Sequence, residues 1–513
     1  MKSKKIFTIF LISVSLAIQM NFSSCNGNSV NDKQADSSGV RSSKQLAEVY
    51  CAGCHQQATP DMLNKKTWAD RVLPAMAVRM GIGVWQETQY YEQKNAKTDH
   101  PIPFDDWEKI VEYYKTEAPD SLLPSSLPIE YEKDWSGFSL KSPASPKDNS
   151  VSMVTLVKID TINHEVYTGD NNADLFTWSH KLKKTAVKHL SSAPVDLEFI
   201  TNNNQEMQLL LTCIGTLNAV DIPKGQVLID KTNISKQIII ADKLPRPVQT
   251  KMADLNKDGL MDYVVCGFGH DRGSLYILLQ TDKNEFINKS ISVMPGAIQA
   301  ELTDYNGDGW VDILVLFAHA KEGIWLFQND GKGNFSNRPL IEFPPVYGST
   351  SFDFIDINKD GKKDIIYTCG DNGDYSKILK PYHGIYIFIN KGKEVYEKTY
   401  FFPVNGCTKA IAADFDMDGD LDIASIAFFS DVKNRPGENF LYFEQDSAMH
   451  FIPHSPPIEK QGRWICMDVG DYDGDGDLDI ILGNYSQGFQ LENYQQPDWN
   501  TWKPFIILEN NKK

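Results

Sequence analysis

Five copies of one acidic nonapeptide recur at near-constant spacing, and no other feature of this chain restricts its fold as much. The copies start at Asp254, Asp304, Asp356, Asp414 and Asp471, so successive starts lie 50, 52, 58 and 57 residues apart. Each copy reads D-x-[DN]-x-D-G-x-x-D. The oxygen-bearing sets are Asp254, Asn256, Asp258 and Asp262, then Asp304, Asn306, Asp308 and Asp312, then Asp356, Asn358, Asp360 and Asp364. Asp414, Asp416, Asp418 and Asp422 form the fourth, and Asp471, Asp473, Asp475 and Asp479 the fifth. Side chains at positions one, three and five converge on one point, and glycine at six permits the sharp turn that returns the chain. The ninth-position Asp closes the cage. Such a set predicts a structural Ca2+ in each loop, about five in all, because a hard cation cancels the repulsion among clustered carboxylates.

The loops are not EF-hands. An EF-hand places a bidentate Glu at position twelve between two helices. Here position twelve is Val265, Val315, Tyr367, Ser425 or Leu482, and the flanks read as strands. An alternating segment such as Ile298 to Thr303 precedes each loop, and a short apolar run such as Ile313 to Phe317 follows. Four strands in about 50 residues is the period of a propeller blade. These loops and their period resemble the FG-GAP or VCBS repeat family, whose calcium loops join blade strands in integrin-type propellers. The resemblance covers most of residues 151–513 and implies an all-β propeller, and the mean step between loop starts, fitted into that length, gives seven blades. The first two blades, around Met153 to Phe176 and Val195 to Ile214, lack the full ligand set and are expected to bind no calcium.

A second motif carries different chemistry. Cys51-Ala52-Gly53-Cys54-His55 is a CxxCH sequence, the attachment site of c-type haem. The thiols add to the haem vinyl groups and the histidine becomes the proximal iron ligand. A zinc site would need a second Cys/His pair nearby, and residues 56–99 contain neither residue. Residues 43–119 resemble a class I cytochrome c, a small all-α domain, with Phe104 to Tyr114 as its C-terminal helix. Trp107, Ile110, Val111 and Tyr114 fall on one face of that helix. The resemblance implies one covalent haem c with Met76, after Pro74, as sixth ligand. Met80 and His100 remain alternatives. The expected fold class is thus multidomain, an all-α cytochrome c domain followed by an all-β propeller.

The N-terminus agrees with export. Lys2, Lys4 and Lys5 precede an apolar run from Ile6 to Ile18, and Ser23 and Ser24 lead to Cys25. This is similar to a bacterial lipoprotein signal over residues 1–25, in which Cys25 is lipidated. Residues 26–42, rich in Ser, Asn, Asp and Gly, read as a flexible tether, and residues 120–150, with their prolines and serines, as a linker. The expected location is the bacterial cell envelope, lipid-anchored to a membrane and facing the periplasm or the exterior. Of the remaining cysteines, Cys213, Cys266, Cys369, Cys407 and Cys466 are odd in number, which rules out a complete disulfide framework. The formal charge of −17 becomes −20 once residues 1–24 and their three lysines are removed, which argues against nucleic acid as a partner.

Function on the propeller is expected at the hairpin loops that follow the strand after each calcium loop, because they meet on one face. Two are long. Residues 371–383 hold Asp371, Asp374, Tyr375, Lys377, Lys380, Tyr382 and His383, and residues 430–438 hold Asp431, Lys433 and Arg435. His270, His319, Asp371, His383 and Arg435 are the candidate catalytic or binding residues. Convergent polar and aromatic groups suit a carbohydrate, a polyol or a docking protein. The sequence holds no nucleophile elbow, phosphate loop or HExxH helix. The reading is an anchored electron-transfer cytochrome with a redox partner protein or quinone-linked chain, whose propeller binds a ligand or partner. The alternative is a haem-coupled oxidoreductase, or a redox-independent lyase, acting on a sugar at the propeller face.

Overall fold

The computed structural model describes residues 41–512 apart from 96, 126–129, 145–149, 202–204, 232–236, 283–284, 374 and 489–497. The leader through Cys25, most of the tether, and Asp374 therefore lie outside the described residues. Among the described residues, no helix is long and apolar enough to cross a membrane.

Seven four-stranded antiparallel sheets make a ring. Six blades are continuous in sequence, over residues 154–189, 194–244, 247–292, 297–342, 349–403 and 407–454. The seventh is composite. It runs Trp464–Gly470, Asp479–Asn484, Phe505–Asn510 and then Phe138–Lys141, paired antiparallel with Phe138 opposite Asn510. A strand from within 120–150 thus closes the ring. Phe138 is 4% exposed and packs edge-on against Phe415 and Tyr442 of blade six.

Burial follows position in the blade. The second strands, Asp262–Gly267, Asp312–Phe317, Asp364–Cys369, Asp422–Ala427 and Asp479–Asn484, are buried at every residue because sheet neighbours flank them and adjacent blades cover both faces. Their side chains share a core with the next blade, as Val264 and Cys266 do with Ile313 and Val315. Outer strands such as Glu285–Ser292 are largely exposed and polar. Cys213, Cys266, Cys369 and Cys407 are free and buried in these cores.

The fold class differs from the sequence expectation. The molecule is nearly all-β, and among the described residues α-helix is confined to the short segments Ser43–Cys51, Lys65–Thr67, Leu73–Arg79 and Phe104–Glu117. Among the described residues, no separate all-α cytochrome c domain is formed. The segment that holds the helices also contains an antiparallel hairpin, Ile82–Trp85 with Gln89–Glu92. Left-handed backbone at Gln86 and Glu87 makes the turn, a local conformation that helical periodicity does not reveal. The segment is also not free-standing. Val346 and Ile378 of the propeller pack against its core of Leu46, Trp68, Trp107, Ile110 and Tyr114.

Candidate functional site

The five acidic loops share one backbone solution. The fourth position is left-handed in all of them, at Lys257, Gly307, Lys359, Met417 and Gly474, and so is the glycine at position six. In the first loop, Asp254 accepts the Asp258 and Gly259 N–H groups at 3.1 and 2.9 Å, and Asp258 accepts that of Leu260 at 2.8 Å. The side chains at one, three and five are thereby gathered on one side of the turn. Carboxylate oxygens of Asp414, Asp416 and Asp418 lie within 4.8 Å of one another, as do those of Asp471, Asp473 and Asp479. Asp414 Oδ1 is buried without a hydrogen-bond donor. The donor chemistry fits a hard cation.

The ninth-position Asp has a second job that spacing alone did not reveal. Asp262, Asp312, Asp364, Asp422 and Asp479 are at most 1% exposed. One oxygen of each accepts the backbone N–H of loop position two, at 3.0–3.3 Å. The other accepts a backbone N–H of the third strand, at 2.8–2.9 Å. Each therefore latches its loop to its blade. Burial raises these carboxyls above the usual range, Asp422 to about 6 and Asp479 to about 7, the latter also repelled by Asp477 and Asp473. Blades are stitched as well: Asn329 and Asn510 donate to the Leu255 and Phe415 carbonyls of the preceding blade at 2.8 and 2.6 Å.

The opposite face of the ring carries the candidate loops. Asp221 accepts three consecutive backbone N–H groups, from His270, Asp271 and Arg272, at 2.7–3.1 Å, and so fixes the His270 loop. The His270 and His319 rings meet edge to face with centroids 6.2 Å apart. Burial, and then the neighbouring His270, push the His319 imidazole down to about 4, with Asp371 opposing. His383 is 1% exposed, and neither ring nitrogen has a partner in hydrogen-bonding geometry. Its imidazole is held neutral by burial and by the Lys380 ammonium. Lys380 is itself buried and donates to the Asp371 carbonyl at 3.3 Å.

Sequence reasoning missed the most perturbed acid here, Glu322. It is 1% exposed, and burial pushes it up to about 8. Its Oε1 accepts both the N–H and the hydroxyl of Ser349 at 2.6 Å, while Oε2 has no partner. Both amide atoms of the buried Asn372 are likewise unpartnered. His270, His319, Glu322, Asp371, Asn372, Lys380 and His383 therefore belong to one region over blades three to five. Unsatisfied buried polar atoms on this scale mark a place where water or a ligand completes the bonding. Arg435 belongs to a different network. It pairs at 2.8 Å with the buried Glu438, which also accepts the Asn405 amide.

The CxxCH segment lies over the same region. Cys51 ends its helix, and Cys54 is close enough to Lys321 to feel its charge. Arg79 pairs with Asp271, and the Tyr382 hydroxyl donates to the Met62 carbonyl at 3.0 Å. His55 Nδ1 lies 2.9 Å from the Gln56 carbonyl, which leaves Nε2 for other use. Burial raises the Cys51 thiol to about 11. Met76 is half-buried against the same core as Cys51, Met80 is buried, and His100 is exposed.

Residues 254–315 and 304–367 match the FG-GAP-like repeat family. The chain is 30% identical over 167 residues to cartilage acidic protein 1 of Mus musculus, a stretch that is 31% of this chain and 25% of that protein. It is 24% identical over 276 residues to the Homo sapiens protein of the same name, covering 50% of this chain and 40% of the relative. The chain thus spans less than half the length of these relatives. Among solved structures, the Neurospora crassa Pan2 WD40 domain superposes with a TM-score of 0.47 at 10% identity, over 75% of this chain and 99% of that one. By its seven sheets the ring is a seven-bladed propeller, and within it residues 254–315 and 304–367 are FG-GAP-like repeats.

Proposed function

We propose that the propeller face over blades three to five binds a ligand or partner, and that Cys51, Cys54 and His55 beside it carry a covalent haem. The observation behind this reading is the placement of the CxxCH segment on the face where the buried polar atoms are unsatisfied. When bound, the haem supplies one-electron transfer. The residues of this chain do the rest. Cys51 and Cys54 would tether the group through their thiols, and His55, its Nδ1 turned to the Gln56 carbonyl, would offer Nε2 to the iron. Met76, half-buried against the same core, would hold the iron through its thioether, with Met80 and His100 as the alternatives. His270, Glu322, Asn372 and His383 offer hydrogen bonds to a polar guest such as a carbohydrate, a polyol or a protein loop, and Glu322 can hold or release a proton near neutral pH. A redox partner protein or a quinone-linked chain would be the electron-transfer partner of the loaded protein. Calcium in the five acidic loops holds the ring from the opposite face, and a lipid on Cys25 anchors the protein in the bacterial cell envelope.

The test is to purify the exported protein, measure haem by pyridine haemochrome, and mix the oxidised form with panels of sugars, polyols and quinols. About one covalent haem per chain, reduced by a subset of these, supports the proposal. Haem extractable by acidified acetone, or none, removes the redox half. Loss of ligand binding in Asn372→Ala with unchanged haem then separates face from cofactor.

A further inference from the structure

The strand that closes the ring is tied down by a side-chain cluster unrelated to the acidic loops. Glu132 pairs in parallel with His454 at the end of blade six. Its N–H donates to the Pro453 carbonyl at 2.9 Å, and its carbonyl accepts the Ser455 N–H at 2.7 Å. This places Glu132 and Asp134 over the His454 ring. His454 Nδ1 lies 3.1 Å from Asp134 Oδ1 and 4.0 Å from Glu132 Oε2. One ligand atom from each of the three residues falls within 4.8 Å of the others.

We propose that Glu132, Asp134 and His454 form a binding site for a divalent transition-metal ion of the zinc class. Tetrahedral bonds of about 2.0–2.1 Å place ligand atoms roughly 3.3 Å apart, so these separations need little adjustment. The ring that supplies the nitrogen is fixed in advance. His454 is 8% exposed, and its Nε2 is buried without a hydrogen-bond partner. Glu444 Oε2 stands 3.9 Å from that Nε2, so a small shift gives the carboxylate–imidazole–metal arrangement that orients metal-bound histidines. Glu444 is in turn held by Lys512, and Asp134 Oδ1 by the Ser136 N–H at 3.0 Å. Three carboxylates surround the imidazole against one ammonium, an excess of negative charge that a cation neutralises. One nitrogen and two carboxylates favour zinc over calcium, which takes six or more oxygens. The carboxylates of Glu132 and Asp134 are open to solvent, so water completes the coordination. A bound ion would clip the segment leading to Phe138–Lys141 onto blade six.

Equilibrium dialysis of the full chain against Zn2+ in excess Ca2+, followed by metal analysis, tests this. The wild type should retain about one more zinc than His454→Ala, Asp134→Asn or Glu132→Gln. Any zinc on Cys51 and Cys54 is common to all four proteins and cancels. Zinc should also raise the melting temperature of the wild type and not of the variants. Glu132 is mostly exposed, so Glu132→Gln tests the site even if His454→Ala folds poorly. Equal zinc uptake by the wild type and Glu132→Gln, or uptake abolished by calcium, would overturn the proposal and leave an ion-pair cluster only.

Discussion

Glu322→Gln should make this protein more stable at alkaline pH and nearly unchanged in acid. Glu322 is buried with one oxygen held by Ser349 and the other unpartnered, and its carboxyl rises from the usual 4.5 to about 8. A raised carboxyl binds its proton more tightly when folded than when unfolded. Its contribution is therefore fully present below pH 4.5 and is lost as the pH climbs to about 8. At 1.36 kcal/mol for each tenfold change in proton affinity, the loss is at most ~5 kcal/mol. The nearby Lys380 ammonium opposes the rise and is already included in it. Gln keeps the acceptor for Ser349 and cannot ionise. Denaturant melts from pH 4 to 9 should show wild-type stability falling across this window, and the slope attributable to this site should vanish in Glu322→Gln. Parallel pH profiles for the two proteins would refute the reasoning, because Glu322 would then ionise as freely in the fold as in the open chain.

Chelation should lower the melting temperature of the propeller, and each loop saturated at a hundredfold excess over its dissociation constant should add ~2.7 kcal/mol. Asp308→Ala and Asp475→Ala should each remove about one calcium by metal analysis, and full retention would assign the ion elsewhere. Phe138→Ala should cost ~3–5 kcal/mol in denaturant melts, since the ring is buried against blade six. Met76→Ala should abolish the thioether-to-iron absorption and lower the haem potential. Met80→Ala, which removes a buried side chain, should reduce stability and leave the spectrum alone.

The propeller was legible because its information is local and repeated. Each acidic loop states a turn, each following apolar run states a buried strand, and the period sets the blade size. What stayed hidden depends on contacts between distant residues. Phe138–Lys141 looks like linker because a four-residue strand among prolines and serines carries little periodicity, and its partner is Phe505–Asn510. The helical segment departs from the expected all-α unit because a five-residue CxxCH motif and one amphipathic helix do not fix the fold around them, here a hairpin packed on the propeller. His270, His319 and Asp371 can be grouped from the sequence because loops after equivalent strands share a face. Glu322 was not, since its burial against Ser349 belongs to the neighbouring blade. The ninth-position Asp was read only as a ligand, and its latch role needs the third strand, whose N–H groups the loop sequence does not mention.

The composite seventh blade also governs the order in which this molecule can be completed. Phe138 and Asn510 face each other although about 370 residues separate them along the chain. Until Phe505–Asn510 emerges and folds back, the early strand has no partner, Asp479–Asn484 keeps an unpaired edge, and blades one and six expose the apolar faces that blade seven covers. Pairings at such separation carry a large loop-closure cost and form late. The intermediate is an arc with two adhesive ends, able to join another arc as readily as itself. Ring closure is therefore a checkpoint, and a chain shortened by its final few residues would fail there, by polymerising, after nearly every blade had folded correctly.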